Sequence, residues 1–181
     1  MAFDGITIAA MVKELHLNLD GGRFNKIAQP EADELLITGK GANGQCRLLL
    51  SASASLPLIY FTSKNKPSPM TAPNFCMLLR KHIGSARVSD IRQPGMERVV
   101  MFELEHLNEL GDPCKKVLIM ELMGKHSNII FCDDKGMILD SIKHVSSHMS
   151  SVREVLPGRA YKIPATQEDK YNPLTVDSKQ F

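Results

Sequence analysis

Short apolar segments with β-branched or aromatic residues, each ended by turn residues, recur along most of this chain. Such segments predict β-strands, because these side chains pack well on a pleated surface. Four come before the Pro- and Ser-rich stretch at 64–73 and five follow it, and together they are 23–29, 33–40, 45–52, 56–62, 86–93, 97–106, 115–123, 127–134 and 136–145. Strands joined by short connections pair antiparallel, so a meander is the simplest arrangement.

Two further segments carry apolar residues at helical spacing. The first, 7–19, has Thr7 as its predicted N-cap and Gly21-Gly22 as its stop. The second, 74–84, is predicted to begin with Asn74 as its cap. One face of the second helix should carry Phe75, Leu78, Leu79 and His82. Two helices beside mostly antiparallel strands indicate an α+β domain.

Asn43-Gly44 separates the second and third predicted strands. This dipeptide favours a two-residue hairpin turn in which both central residues have positive φ, a conformation that Asn and Gly tolerate well. We therefore expect both residues to be left-handed.

Charge and hydropathy exclude several classes of protein. The 181 residues include 22 Lys and Arg against 20 Asp and Glu, a net charge of +2, so the chain lacks the strongly basic balance of a stand-alone nucleic-acid binder. No apolar run approaches the roughly 20 residues of a membrane span. We expect a soluble domain with no membrane partner.

The cysteines and the N-terminus indicate the compartment. No two cysteines form a C-x-x-C pair, and we expect them to be small hydrophobic residues in a reducing environment. Residues 1–5 contain no basic segment followed by a long apolar one, so no secretory signal is predicted. A cytoplasmic protein is expected.

Catalytic motifs are missing from the sequence. It contains no G-x-G-x-x-G, no Walker loop, no G-x-S-x-G and no H-E-x-x-H. His144 and His148 are four residues apart, but their Ser-rich surroundings offer no third ligand, so we interpret them as surface histidines. We predict no catalytic residue, no metal site and no cofactor.

Glu97-Arg98 forms the first unusual polar feature, because an acid and a base follow the Pro94-Gly95 turn where a strand begins. One interpretation is a solvated strand start whose two side chains point to opposite faces. The other is a polar pair that recognises a partner beside the turn.

A second polar cluster follows an apolar strand that ends in Gly. Lys, His, Ser and Asn can all bond phosphate or ribose oxygens, and Gly allows close approach of a backbone. A polar β-turn is the alternative interpretation. The cluster comprises Glu121, Leu122, Met123, Gly124, Lys125, His126, Ser127 and Asn128.

Arg80 and Lys81 give the second predicted helix a basic C-terminal end. Cations there are favoured by the helix dipole, which explains them without a ligand. Phosphate contact is the alternative.

These same segments resemble the N-terminal domain of the NFACT family, also named fibronectin-binding protein A in bacteria. The resemblance extends from about residue 3 to residue 165. It is carried, in order, by DGITIAAMVKEL, GGRFNKIAQPEADELLI, NFCMLLRKHI, Glu97-Arg98, ELMGKHSNII, ILDSIKHV and LPGRAYKIP.

The resemblance implies a cytoplasmic ribosome quality-control factor. Such proteins bind large ribosomal subunits that carry an obstructed peptidyl-tRNA, and they recruit tRNA, in bacteria alanyl-tRNA, for template-free tailing of the nascent chain. The ribosome performs peptide transfer, so the chain is not expected to be an enzyme. A fibronectin-binding surface adhesin is the alternative, although the sequence shows neither a signal nor an anchor.

The resemblance also implies site residues. The family's tRNA-contacting Asp-Arg pair matches Glu97-Arg98, where Glu keeps the charge on a longer arm. Its Glu-Ile-Met motif matches Glu121-Leu122-Met123. RNA contact by Lys125, His126 and Asn128, and by Arg80 and Lys81, is inferred from their chemistry alone.

The family's N-terminal domain is similar in fold to that of formamidopyrimidine-DNA glycosylases, which implies a β-sandwich with flanking helices. Those enzymes use an N-terminal Pro amine as nucleophile, whereas this chain has Ala2-Phe3, so glycosylase activity is not expected. We predict an NFACT-N domain over 1–165 and a linker over 166–181 toward a helix-hairpin-helix domain.

Overall fold

The computed structural model describes residues 5–146 and 154–163. Every predicted strand and both predicted helices are present. In chain order the elements are α1 (Gly5–Leu19), β1 (Arg23–Ala28), β2 (Glu34–Gly41), β3 (Gly44–Ser51), β4 (Leu58–Thr62), α2 (Asn74–Ile83), β5 (Arg87–Arg92), β6 (Val99–Leu107), β7 (Pro113–Glu121), β8 (Asn128–Asp133) and β9 (Ile138–Ser141). The α+β prediction is confirmed.

The strands form one antiparallel sheet in the order β4-β3-β2-β1-β5-β6-β7-β8-β9. Each half is a meander of sequential neighbours, as predicted. The halves meet where Arg23 of β1 pairs with Arg87 of β5, and the pairing continues through Phe24 N to Ala86 O at 2.9 Å. This edge-to-edge pairing joins the two meanders into one hydrogen-bonded sheet, and the β-sandwich arrangement stays a prediction.

A single core nevertheless lies between the two halves. Phe24 of β1 and Phe102 of β6 are fully buried with ring centroids 6.3 Å apart, and both helices add residues to the same cluster. The second half is buried on its other face as well, where residues 154–161 cover Val99, Ile119 and Ile130. Strands buried on both faces carry nearly continuous apolar runs, which explains the composition of β6 to β8.

Three local predictions differ from the structure. Helix α1 begins at Gly5, two residues before Thr7, and Asn74 is the first residue of α2 rather than its cap, since Pro73 occupies that position. Between β2 and β3, Gly44 alone of the two turn residues has positive φ, at 96°. The turn is shifted by one residue, so the left-handed position falls on Gly and Asn43 avoids the strain.

Candidate nucleic-acid interface

The connection from β5 to β6 is a tight turn held by one amide side chain. Glu97 N donates to Pro94 O at 3.1 Å. Gln93 Nε2 donates to Glu97 O at 2.7 Å and to Gly5 O at 3.0 Å. A Cβ at Gly5 would overlap the carbonyl of Met96, so only Gly lets α1 begin this close to the turn. Gln93 therefore fastens the turn to the start of α1.

Glu97 and Arg98 are both half-buried at this turn. Burial raises the pKa of the Glu97 carboxyl, and the neighbouring Arg98 partly opposes that rise. In the part of the chain that the structure describes, the Arg98 guanidinium makes no hydrogen bond or ion pair. Its five N–H donors therefore remain for a partner.

Replacing Glu97 with Gln should stabilise the fold at neutral pH. The raised pKa means that the folded state holds this proton more tightly than the unfolded state, so the stability it contributes is lost as pH rises through the raised value. At pH 7 we expect Glu97→Gln to increase the melting temperature by about 1–2 °C. The increase should disappear when the pH falls below the ordinary carboxyl range.

Thermal unfolding between pH 4 and pH 8 measures this effect, with Glu14→Gln on exposed α1 surface as the control. A lower melting temperature for Glu97→Gln at pH 7 would show that the charged carboxylate helps to hold the fold.

The Glu121-Leu122-Met123 motif lies inside the protein. Glu121 is 0% exposed on the face covered by residues 154–161, and Tyr161 Oη donates to its Oε2 at 2.7 Å. Leu122 belongs to the main core, and its N donates to Arg98 O at 2.9 Å. Leu122 and Met123 are buried as well. The motif therefore supports the Arg98 backbone through Leu122 N, and its buried side chains are not placed to contact RNA directly.

The following turn exposes two cations. Gly124–His126 is a short 3₁₀ helix that begins at a Gly with φ of 55°, and Ser127 Oγ accepts from Met123 N at 2.8 Å to close it. Lys125 and His126 are exposed, and their side chains make no hydrogen bond within residues 5–146 and 154–163. The set formed by half-buried Glu97 and Arg98 together with exposed Lys125 and His126 is called the Arg98 surface below.

Asn128 differs from its predicted role in RNA contact, because it is buried and both its amide nitrogen and its amide oxygen make hydrogen bonds within the protein. Its Nδ2 donates to Lys143 O at 2.9 Å, while its Oδ1 accepts from Lys143 N at 3.0 Å and from Ile129 N at 2.9 Å. This pairing fastens the segment after β9 to β8. Asn128 therefore positions the backbone beside the turn that carries Lys125.

Arg80 and Lys81 do not join the Arg98 surface. Arg80 Nε donates to Ile27 O of β1 at 2.7 Å, and Lys81 lies beside His106 near the far end of β6. His106 is eight positions after Arg98 along β6, a distance of about 26 Å. The two predicted groups of RNA-contacting residues thus lie at opposite ends of β6.

The sequence pattern does not identify Gln93 or Tyr161 as a site residue. Gln93 precedes the Pro94-Gly95 turn, and Tyr161 lies in LPGRAYKIP, one of the segments that carry the family resemblance. Each acts through a hydrogen bond to a residue distant in sequence, 88 positions for Gln93 to Gly5 and 40 for Tyr161 to Glu121. Such pairings carry no periodic signal.

His16, Asp20 and Asp90 make up one cluster of potential metal ligands in the described region. Their nitrogen-to-oxygen distances, 3.6 Å to Asp20 and 4.0 Å to Asp90, are those of exposed ion pairs. His144 Nε2 lies 2.6 Å from Asp140 Oδ1, and His148 is outside the described residues. Across residues 5–146 and 154–163 we find no helix with the length and apolarity needed to span a membrane.

Comparison with known protein families identifies the family to which the chain belongs. The family described as NFACT N-terminal and middle domains matches residues 4–181. The chain belongs to the NFACT family. The resemblance drawn from the motifs is thereby confirmed, and the domain boundary at residue 165 stays a prediction.

Relatives of this NFACT chain carry names from ribosome quality control. It is 42% identical over 177 residues to the Rqc2 homolog RqcH of Bacillus subtilis, covering 96% of this chain and 30% of that protein. It is 27% identical over 151 residues to the ribosome quality control complex subunit NEMF of Homo sapiens, covering 83% of this chain and 13% of that protein. The chain thus spans a third or less of the length of these relatives.

A solved structure shares the whole fold. The N-terminal domain of fibronectin-binding protein PavA from Streptococcus pneumoniae is 36% identical with a TM-score of 0.89, and the similarity covers 99% of this chain and 67% of that one.

Proposed function

We propose that this chain is the tRNA-binding N-terminal module of a ribosome quality-control factor. The observation that carries the proposal is the Arg98 guanidinium, half-buried at a clamped turn with no bonding partner in the described residues. A half-buried arginine without a hydrogen-bond partner in the described residues is suited to an external anion or base. The names of the relatives, Rqc2 homolog RqcH and NEMF, support the setting.

The Arg98 surface offers the chemistry that RNA recognition uses. A guanidinium pairs with a phosphate through two parallel N–H bonds or stacks on a base, and Lys125 adds a point charge. Glu97 can accept hydrogen bonds from a ribose 2′-hydroxyl or a base amino group. Because the half-buried Glu97 carboxylate lowers the stability of the fold, a role in binding explains its presence better than a role in folding does.

The broader role follows from the family. The proposed partners are the large ribosomal subunit with an obstructed peptidyl-tRNA, and alanyl-tRNA recruited for template-free tailing. Peptide transfer belongs to the ribosome, so this chain acts as a binding module without a cofactor and works in the cytoplasm. Similarity in fold to the formamidopyrimidine-DNA glycosylase N-terminal domain stays a prediction.

The isolated chain should bind tRNA weakly. The net charge of +2 limits the number of phosphates it engages. With roughly one to three phosphate contacts, the logarithm of the affinity should fall by only about one to three units per tenfold increase in salt. Strong attachment to the ribosome would then come from several linked contacts acting together.

Capture of total bacterial tRNA on the immobilised full chain, followed by sequencing, tests the proposal. We expect saturable tRNA retention with tRNA-Ala enriched, and no retention of soluble fibronectin used as a parallel probe. Retention of fibronectin without tRNA would overturn the proposal and favour the adhesin alternative suggested by the name of the Streptococcus pneumoniae neighbour.

A further inference from the structure

We propose that a basic cleft at the opposite end of the domain is a second binding site for RNA backbone phosphate. The cleft lies between the C-terminal end of α2 and the tip of the β6–β7 hairpin, and has a volume of about 480 Å³. It is called the hairpin cleft below. Its lining residues are Lys81, His82, His106, Leu107, Asn108, Glu109, Leu110 and Lys116.

The basic side chains of the hairpin cleft come from three different elements. Lys81 and His82 belong to the last turn of α2, His106 to β6 and Lys116 to β7. Lys116 Nζ donates to His106 Nε2 at 3.3 Å, while His106 Nδ1 lies 3.2 Å from Leu107 O. The ring of His82 meets that of His106 edge-on, with centroids 6.2 Å apart. The fold thus gathers four nitrogen-bearing side chains around one opening.

The electrostatics of the hairpin cleft favour an anion. Burial lowers the pKa of both histidines; on His106 the hydrogen bond to the Leu107 carbonyl opposes that effect, and Lys116 lowers the pKa of each histidine further. Lys81 adds to the effect on His82, whereas Glu109 opposes it. The histidines are therefore held neutral beside two ammonium groups, and an entering phosphate would compensate the positive charge and allow them to protonate.

Acidic groups near the hairpin cleft are few. Glu109 from the hairpin loop lines it. Asp133 on β8 is the cross-strand neighbour of Lys116, but its Oδ1 accepts from Lys135 N and Met137 N, each at 2.9 Å. Asp133 keeps its negative charge in that turn, but Glu109 is the only carboxylate that enters the pKa shift of either histidine, and the two lysines outnumber it at the cleft.

Placement favours a polymer over a small phosphate. The cleft is open, and the hairpin beside it exposes Leu107 by 67% and Leu110 by 86%. It lies about 26 Å from Arg98 along β6, so an RNA contacting both ends of the strand would be held in one orientation. The inference that the ligand of the hairpin cleft is RNA rests on the proposed function of the Arg98 surface.

The experiment compares tRNA affinity of the full chain and its variants by fluorescence anisotropy at several salt concentrations. The double variant Lys81→Gln/Lys116→Gln should bind about tenfold more weakly, and its salt slope should be smaller by about one to two units. Lys115→Gln is the matched control, because this neighbouring lysine points to the opposite face of β7. Its effect should be less than twofold.

A second measurement follows the histidines by NMR with and without tRNA. We expect tRNA to raise the pKa of His82 and His106, and affinity to be several-fold higher at pH 6 than at pH 8, with that gain reduced in His82→Gln/His106→Gln. Circular dichroism and melting temperature confirm that each variant folds.

Three outcomes would overturn the assignment of the cleft. If Arg98→Ala weakens tRNA binding and the double lysine variant does not, the cleft proposal fails while the proposed function stands. If the wild-type chain retains no tRNA at all, the proposed function fails, and the cleft proposal that rests on it fails as well. If the lysines affect binding of inorganic phosphate but not of tRNA, the cleft is a small-anion site.

Discussion

Replacing Arg98 with Ala is expected to weaken tRNA binding by about tenfold or more. A hydrogen bond to a charged group contributes roughly 1.5–3 kcal/mol, and every 1.4 kcal/mol is a factor of ten in affinity. Because the guanidinium has no bonding partner in the described part of the chain, its removal should change the melting temperature by no more than about 2 °C.

Two control variants distinguish specific recognition by Arg98 from a general effect of net charge on tRNA binding. Arg98→Lys keeps the charge but loses the planar donors, so partial binding would show that geometry contributes beyond charge. Arg47→Ala on β3 removes the same charge from the other half of the sheet, where Arg47 donates to Ser63 O. Equal loss of binding in Arg98→Ala and Arg47→Ala would reduce the effect to net charge and contradict specific recognition.

Replacing Tyr161 with Phe is expected to destabilise the fold by about 1.5–3 kcal/mol. The change removes a hydrogen bond to Glu121, a carboxylate with no exposed surface. A buried carboxyl group that loses a hydrogen-bond partner costs more than an exposed one, since water cannot replace the partner. The effect is therefore large for the loss of a single oxygen atom.

Urea denaturation of wild type and Tyr161→Phe measures the difference. Tyr60→Phe is the matched control, because Tyr60 is 46% exposed on the edge strand β4 and should change stability by less than about 0.5 kcal/mol. Similar unfolding free energies for both variants would show that the Tyr161 hydroxyl does not stabilise the fold through Glu121.

The relation between these two variants bears on how the site is built. Leu122 N donates to Arg98 O, and Glu121 immediately precedes Leu122 on β7. Tyr161 therefore supports the strand end that holds the Arg98 backbone, whereas Arg98 supplies the contacting group. This division explains how a motif can matter for function although its side chains are buried.

Local pattern predicted the elements well. Alternation and β-branched content identified each strand, since these depend on which side chains pack on a pleated surface. Boundaries were less accurate, as at Gly5 and Asn74, because capping depends on what lies beside the helix start. At Asn43-Gly44 the hairpin was predicted correctly but its φ angles were not, since a one-residue shift of register alters which residue is left-handed.

The candidate site was predictable in part. Lys125 and His126 are exposed and Arg98 is half-buried, as polar residues at turns should be, whereas Glu121 and Asn128 are buried. Polarity alone does not distinguish an exposed contact from a buried support, because both need hydrogen-bonding groups. Glu121 bonds Tyr161 and Asn128 bonds Lys143, partners distant in sequence.

The amino-acid sequence by itself determined the number and order of strands and helices, the near-neutral charge and the family, because these depend on local patterning and on motifs read in order. Only the tertiary structure decided that Arg98 lies at one end of β6 and Lys81 near the other, and that Glu121 lies beneath rather than within the contact surface. Those properties depend on strand pairing and burial, which bring together residues that no local pattern relates.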